Sequence, residues 1–411
     1  MSWKFWKSNL APAAAPDAIK IPPPAADERL PRAAMSGADV IVTPNEANLK
    51  HGIGVLVERF FGGFPNTLSI RSQDSFGGEQ NFGTHRLRVS HAGLARWESY
   101  EHVLRVLNGS TVRRLVCIPF FADDLITAIC LHELFNCPLC IYVMDDNNVG
   151  AHGIADDLFA EALWRAKLRL AISPEMRDAC AAKFGMPFHV LPPLVEPQHV
   201  VREPEVPEAA IAEGRPGALV GNVWSGRWFE SLRATVRSSG VKLQWYGNIN
   251  ASWLKYSKED LASDGISAVG FLPEENLIER LRGHPYAVMP SGSLDEHDDR
   301  PELARLSLPS RLPFLAAVAN LPVVVLGDPE TSAARFVKRF QVGRVCPYNA
   351  EAFKEAVAGI CDLDEQWFFR RNAAEKCSAL ALENPGEWIW RSLERGAPVD
   401  ERFEQLMPRP K

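Results

Sequence analysis

The chain has 411 residues, more than one hydrophobic core usually serves, so two domains are expected. Hydrophobic residues make up 46% and charged residues 23%, and the mean hydropathy is -0.13, which excludes a polytopic membrane protein. A net charge of -6 and a pI near 6.0 supply no basic field for wrapping nucleic acid, so no nucleic-acid partner is expected.

Residues 1–35 are rich in Ala and Pro and read as a flexible tail. Its tip carries Trp3, Lys4, Phe5, Trp6 and Lys7 but lacks the continuous apolar stretch of a signal peptide. Two readings of the tip stay open: peripheral contact with an anionic membrane surface, or packing on the protein body. No segment has the roughly 18 uninterrupted apolar residues of a membrane span. Eight cysteines, mostly inside apolar runs, point to a reducing compartment and a cytoplasmic protein, with the inner membrane face as a peripheral site. Cys137 and Cys140 form a C-x-x-C, yet they lead into a strand instead of opening a helix as a redox motif does.

From Ala38 the chain alternates between strand and helix patterns. The apolar run Val40–Val42 precedes a loop containing Gly52 and Gly54, then a helical pattern from Val55 to Phe61. Leu115–Ile118, Ala122–Phe135 and Leu139–Met144 read as strand, helix and strand, with Asp123 and Asp124 in the first helical turn as the dipole favours. A helix at 154–166, a strand at 168–172, a helix opened by Ser173 and Pro174 and closed by Gly185, and a strand at 188–191 complete this half.

Residues 196–217, rich in Pro, Glu and Val, read as a linker between domains at 36–195 and 218–362. The second domain restarts with the strand ALVGNV, a helix at 229–239, a strand at 241–246 and a Gly247-Asn248 turn. It continues with a helix at 277–282, a strand at 286–289, a helix at 311–319, a strand at 323–326 and a helix at 331–340. Residues 363–411 read as C-terminal helices and a tail, helical in character over 363–395, where Trp367, Phe368, Phe369, Trp388 and Trp390 read as core anchors.

Ligands of open parallel sheets bind beyond the carboxyl ends of the strands, so the loops there hold the candidate residues. Gly221, Asn222 and Arg227 follow the first strand of the second domain; glycine allows close backbone approach to a diphosphate and arginine can neutralise it. Ser291 and Gly292 follow a later strand, and Ser310 and Arg311 open a helix whose amino end suits an anion. In the first half, Gly52 and Gly54 admit either a phosphate or acceptor close to the backbone or a plain tight turn. Asp145 and Asp146 follow a strand and read either as acceptor-orienting or proton-accepting groups or as loop caps. His152 lies just beyond them as a further catalytic candidate.

The segments VMPSGS, LPSRLPFLAAVANLPVVVLG and TSAARFVKRFQVG resemble the donor-binding domain of GT-B glycosyltransferases, particularly the family-4-type group, glycosyl transferases group 1. CIPFFADDLITAICLHELFNCPLCIYVMDD and LAISPEMRDACAAKFGMPFHVLPPLV resemble that group's acceptor domain. The resemblance implies an α/β protein of two Rossmann-like domains facing across a cleft, with C-terminal helices crossing back to the first. It implies transfer of a sugar from a nucleotide-activated donor to a glycan, lipid-linked or protein acceptor, in surface polysaccharide or glycoconjugate biosynthesis. Donor contacts are then expected from Gly221, Asn222, Arg227, Gly247, Ser291, Gly292, Glu302, Ser310 and Arg311, with no cofactor and no obligatory metal. The group's ribose-holding glutamate is replaced by the run Leu312-Pro313-Phe314-Leu315. That departure keeps two alternatives in view: a sugar-nucleotide epimerase or hydrolase of the same fold, and an inactive scaffold.

Overall fold

The computed structural model describes residues 29–408 apart from 50, 76, 213 and 249–254; the aromatic-basic tip and most of the tail lie outside them. Two parallel sheets organise the chain. The first contains β1 (Ala38–Thr43), β2 (Thr67–Arg71), β3 (His85–Arg88), β4 (Val112–Cys117), β5 (Leu139–Val143), β6 (Leu168–Ala171) and β7 (His189–Val190), in the order β3-β2-β1-β4-β5-β6-β7. The second contains β8 (Gly217–Val220), β9 (Leu243–Tyr246), β10 (Ile266–Ala268), β11 (Ala287–Pro290), β12 (Val323–Leu326) and β13 (Gly343–Cys346), in the order β10-β9-β8-β11-β12-β13. Each order reverses once, between β1 and β4 and between β8 and β11, which are the points where doubly wound sheets bind ligands.

Central strands such as β1 and β12 are buried along their whole length, which is why they read as unbroken apolar runs. Helices Arg96–Leu107, Ala122–Phe135 and Asp156–Arg165 share one core with the first sheet. Helix Gly52–Phe61 and the C-terminal helix Pro385–Arg395 share another, continuous with the second domain.

The expected crossing of the C-terminus occurs, but later than residue 363. Helix Leu363–Lys376 stays on the second domain, where Arg370 donates to the carbonyls of Asn320 and His284. The chain then crosses beside the linker, with Val195 N–H donating to Leu380 O at 3.1 Å, and helix Pro385–Arg395 lands on the first domain. Glu404 closes the return by accepting from Val190 N–H at 2.8 Å and pairing with Arg177.

Of the five aromatic residues expected as core anchors, Phe369, Trp388 and Trp390 are buried, whereas Trp367 and Phe368 are exposed. Three consecutive positions cannot all face inward on a helix that turns about 100° per residue. The Trp390 ring packs at a tilt of 48° with its centroid 5.1 Å from that of Phe61 and lies beneath the Arg114 guanidinium at 4.2 Å. Trp390→Ala is expected to cost about 3–5 kcal/mol, read as a lower denaturation midpoint by urea.

The helix expected over 311–319 is divided. Arg311–Pro313 is α-helical and Phe314–Val318 continues as a π-helix, with Ala319 N–H donating to Phe314 O. Such wide turns recur at functional sites.

Candidate functional site

After β1 the chain folds tightly over the first turn of its helix. Glu46 accepts from the N–H groups of Ser75 and Gly78, and His51 caps the helix by accepting from Gly54 N–H at Nδ1. His51 Nε2 lies against Glu46 O, so the proton sits on Nε2, and burial holds the ring's pKa below its ordinary value, keeping it neutral. A Cβ on Gly54 would stand 2.0 Å from the carbonyl oxygen of Asn48, whereas one on Gly52 would meet Ser310 Oγ of the second domain at 3.0 Å. The two glycines therefore differ: Gly54 admits its own loop, and Gly52 faces the other domain.

Asp145 and Asp146 leave β5 at the same edge. Asp146 is buried, and its two oxygens accept from four backbone N–H groups, those of Asn148, Val149, Gly150 and Ala151. With both oxygens occupied by its own loop it is no candidate base, a correction to its expected catalytic role. Asp145 is half-buried; burial pushes its pKa up to about 6, against the opposing pull of Ser307 and the Arg300 guanidinium of the second domain. His152 is exposed, in the left-handed backbone region at φ 52, and no described contact ties it to Asp145.

In the second domain, Arg311 is turned inward. Nη1 donates to Val220 O at 2.6 Å and Asn222 O at 2.5 Å, and Nε points to Met289 Sδ at 3.1 Å. Burial pulls its pKa down to about 10, which leaves it charged at neutral pH. Gly221 packs against this guanidinium, and Gly247 packs on the Gly221 carbonyl, which also accepts from Trp245 Nε1. Arg227 is exposed on the first turn of its own helix, near Asp295, and does not join the Arg311 network. Of the two arginines expected at the donor, Arg311 thus turns inward and braces the loop while Arg227 faces solvent. The amino end at Ser310 offers fewer donors than expected, because Leu312 N–H is taken by Pro309 O and Pro313 has none.

Residues 291–310 form an arm that reaches from β11 to the first domain. Gly292 is needed at its start, since a Cβ there would meet Asp298 Oδ2 at 2.4 Å. Asp298 accepts from Trp228 Nε1 at 2.9 Å, and Asp299 from Ser225, knitting the arm to the loop after β8. At its far end Ser173 Oγ donates to Leu306 O at 2.5 Å, Asp146 N–H donates to Ser307 Oγ at 3.3 Å, and the Glu302 stem rests on Gly150. Glu302, expected at the donor, instead spans the two domains. The carboxyl edges of the two sheets therefore face one another and touch.

No family model matches the sequence and no curated protein matches it. Solved structures do. Anabaena HepE in complex with UDP aligns with a TM-score of 0.59 at 11% identity, covering 87% of this chain and 100% of that one. A sucrose-phosphate synthase from Thermosynechococcus elongatus aligns at 0.61 and 13%, covering 87% and 98%. WaaG, a glycosyltransferase involved in lipopolysaccharide biosynthesis, aligns at 0.55 and 11%, covering 87% and 99%. The chain has the GT-B fold. At these identities the likeness is one of architecture, and it covers 87% of this chain.

Within the GT-B frame, Gly221, Asn222, Gly247 and Arg311 meet at the second switch point, with Ser291 and Gly292 just past the end of β11 beside it; Gly52 meets Ser310, and the Asp145-Asp146 loop meets Ser307. Ser307, Arg300 and Ser173 were not singled out in the sequence; Ser307 and Arg300 lie in a polar stretch with no periodicity, and Ser173 reads only as a helix cap. A separate crevice of about 260 Å³ opens along the outer seam, lined by Glu175, Asp178, Arg305, Leu306, Glu330 and Arg335. With three carboxylates against two guanidiniums it suits a diphosphate poorly.

Proposed function

We propose that this GT-B protein transfers a sugar from a nucleotide-activated donor to an acceptor hydroxyl. The observation that carries this reading is the meeting of the two carboxyl edges, where the loop after β5 that carries Asp145 touches Ser307 on the arm leading from the second domain's switch point. The nucleoside diphosphate would lie along Gly221, Asn222, Ser291 and Ser310, with Arg311 holding the loop in shape and exposed Arg227 closing on the phosphates. Asp145 would accept the acceptor's proton as the new bond forms at the anomeric carbon and the bond to the diphosphate breaks. Charge on the leaving group would be met by arginine and backbone N–H groups without an obligatory metal.

The acceptor is proposed to be a glycan, a lipid-linked glycan or a protein side chain, in surface polysaccharide or glycoconjugate biosynthesis. A cytoplasmic site, peripheral at the inner membrane face, agrees with eight free cysteines and with the finding that no described helix is long and apolar enough to cross a membrane.

A melting-temperature screen against nucleoside diphosphates and nucleotide sugars tests the reading. A ligand at a hundred times its Kd should stabilise the protein by about 2.7 kcal/mol, raising the melting temperature and naming the base. A flat response across the whole panel would reject donor binding and favour the inactive scaffold.

A further inference from the structure

We infer that the crevice along the outer seam is a subsite for one uncharged sugar residue of the acceptor, held beside the reacting end of a glycan. This rests on the transferase reading and selects the glycan among the acceptor classes proposed above. Three parts of the molecule line the crevice: Glu175 and Asp178 from helix Pro174–Phe184 of the first domain, Arg305 and Leu306 from the arm, and Glu330 and Arg335 from the turn and helix after β12. They leave hydrogen-bonding capacity of both kinds unspent. The Glu175 side chain is only 10% exposed, and its ion-pair partner among the described residues, Arg335 Nη1, stands 3.7 Å away, beyond hydrogen-bond reach. The half-exposed Arg305 guanidinium likewise stands 3.7 Å from Glu302. By contrast Glu330 and Asp178 are tightly paired, with Arg335 at 2.7 Å and with Arg177 at 2.8 Å.

The class of ligand follows from that mixture. A cation entering the crevice would meet the Arg305 and Arg335 guanidiniums, and a polyanion would meet Glu175, Asp178 and Glu330. A sugar hydroxyl carries a donor and an acceptor on one oxygen, so neighbouring hydroxyls donate to Glu175 and accept from Arg305, while Leu306 offers an apolar surface to the C–H groups of the ring. At about 260 Å³ the crevice falls just below the range of about 300–1,000 Å³ that encloses drug-sized ligands, so it suits one sugar residue and not a whole oligosaccharide. A narrow inner end of about 10 Å³ is bounded by Ser173, Glu175, Arg335 and Ser332. Ser332 is 2% exposed, and its Oγ has no hydrogen-bond partner among the described residues, an unusual state for a buried hydroxyl. A ligand hydroxyl or one water seated there would satisfy it, since about 10–15 Å³ holds a single water.

Consecutive residues of the arm join the crevice to the proposed reaction centre. Leu306 lines the crevice, its carbonyl accepting from Ser173 Oγ at 2.5 Å, and Ser307 accepts from Asp146 N–H at 3.3 Å in the loop that carries Asp145. Adjacent residues lie about 3.8 Å apart, so a glycan whose end reaches Asp145 would lay a further sugar on the seam. Occupation adds binding to substrate and transition state alike, which lowers KM for a longer acceptor and leaves kcat unchanged.

Saturation-transfer NMR on the full-length protein tests the inference, with glucose, galactose, mannose, N-acetylglucosamine, maltose, cellobiose and lactose as probes. At least one should receive signal, and its Kd should rise roughly 10-fold or more in Glu175→Gln and rise also in Arg305→Gln, as expected when a hydrogen bond to a charged group is lost. Arg305 is a surface side chain, so its variant tests the site even where Glu175→Gln disturbs the seam. Glu296→Gln, on an exposed part of the arm outside the crevice, should leave the Kd unchanged. No signal from any probe, a Kd unmoved in both crevice variants, or binding of putrescine in place of the sugars would overturn the inference. The melting screen separates the two readings: crevice-dependent sugar binding without nucleotide binding would reject the transferase reading alone, and nucleotide binding without it would reject the subsite alone.

Discussion

Asp145→Asn is expected to lower the rate of sugar transfer by about 100- to 10,000-fold, because an amide keeps the shape of the carboxylate but cannot take a proton. In the parent protein the rate should climb as pH rises through about 6, where the carboxyl ionises, and the variant's residual activity should lack that limb. Stability should move the other way. The folded-state pKa is raised from 3.8 to about 6, so folding favours the protonated group; its stabilising contribution is complete below 3.8 and is lost as pH rises through about 6. At pH 7 the asparagine variant should therefore melt no lower than the parent. A variant that loses activity only because it unfolds would show the opposite melting behaviour, and full activity in Asp145→Asn would remove the proposed base.

Gly54→Ala should be the most damaging of the glycine substitutions in the first domain. The added Cβ would stand 2.0 Å from Asn48 O, 2.5 Å from Asn48 N and 2.9 Å from Asn48 C, all backbone atoms that cannot rotate aside. The loop after β1 must lift from the helix, at a cost of about 1–3 kcal/mol for overpacking of this kind. That corresponds to roughly 2–4 °C in melting temperature for each kcal/mol in a domain of this size. Gly52→Ala meets only the Ser310 hydroxyl, a side chain free to turn, and should stay within about 0.5 kcal/mol of the parent. Its effect should appear in donor or acceptor affinity, since it alters the contact between the domains. Equal melting temperatures for the two variants would contradict the described loop.

Most strands and helices with a strong apolar period were readable in the sequence. Helix Ala122–Phe135 and strand Val323–Leu326 lie where their patterns place them, and Ser173, Pro174 and Gly185 cap the helix they bracket. Residues 62–114 were not readable. Strand β3, His-Arg-Leu-Arg at a sheet edge, buries only Leu87, so its composition carries little signal. Helix Arg96–Leu107 displays Trp97 and Leu104 to solvent, which blurs its amphipathic period. The short arm helix Pro301–Leu306 was hidden for a related reason, because it packs between helix Ser332–Phe340 of its own domain and helix Pro174–Phe184 of the other and buries only Ala304.

Local chemistry along the chain was enough to determine two α/β domains and which loops stand at the carboxyl ends of the strands, because burial period and capping are properties of neighbours in sequence. It could not decide which of two adjacent aspartates keeps its loop and which meets the other domain, since Asp145 and Asp146 differ only in how the backbone turns after β5. Nor could it show that Arg311 points inward, that Arg227 stays outside, or that Ser307 and Arg300 cross to Asp145. Those facts depend on contacts between segments far apart in the chain, 91 and 89 residues for the carbonyls that hold Arg311 and 161 for Asp146 and Ser307, and a carboxylate's proton affinity is set by what surrounds it in space.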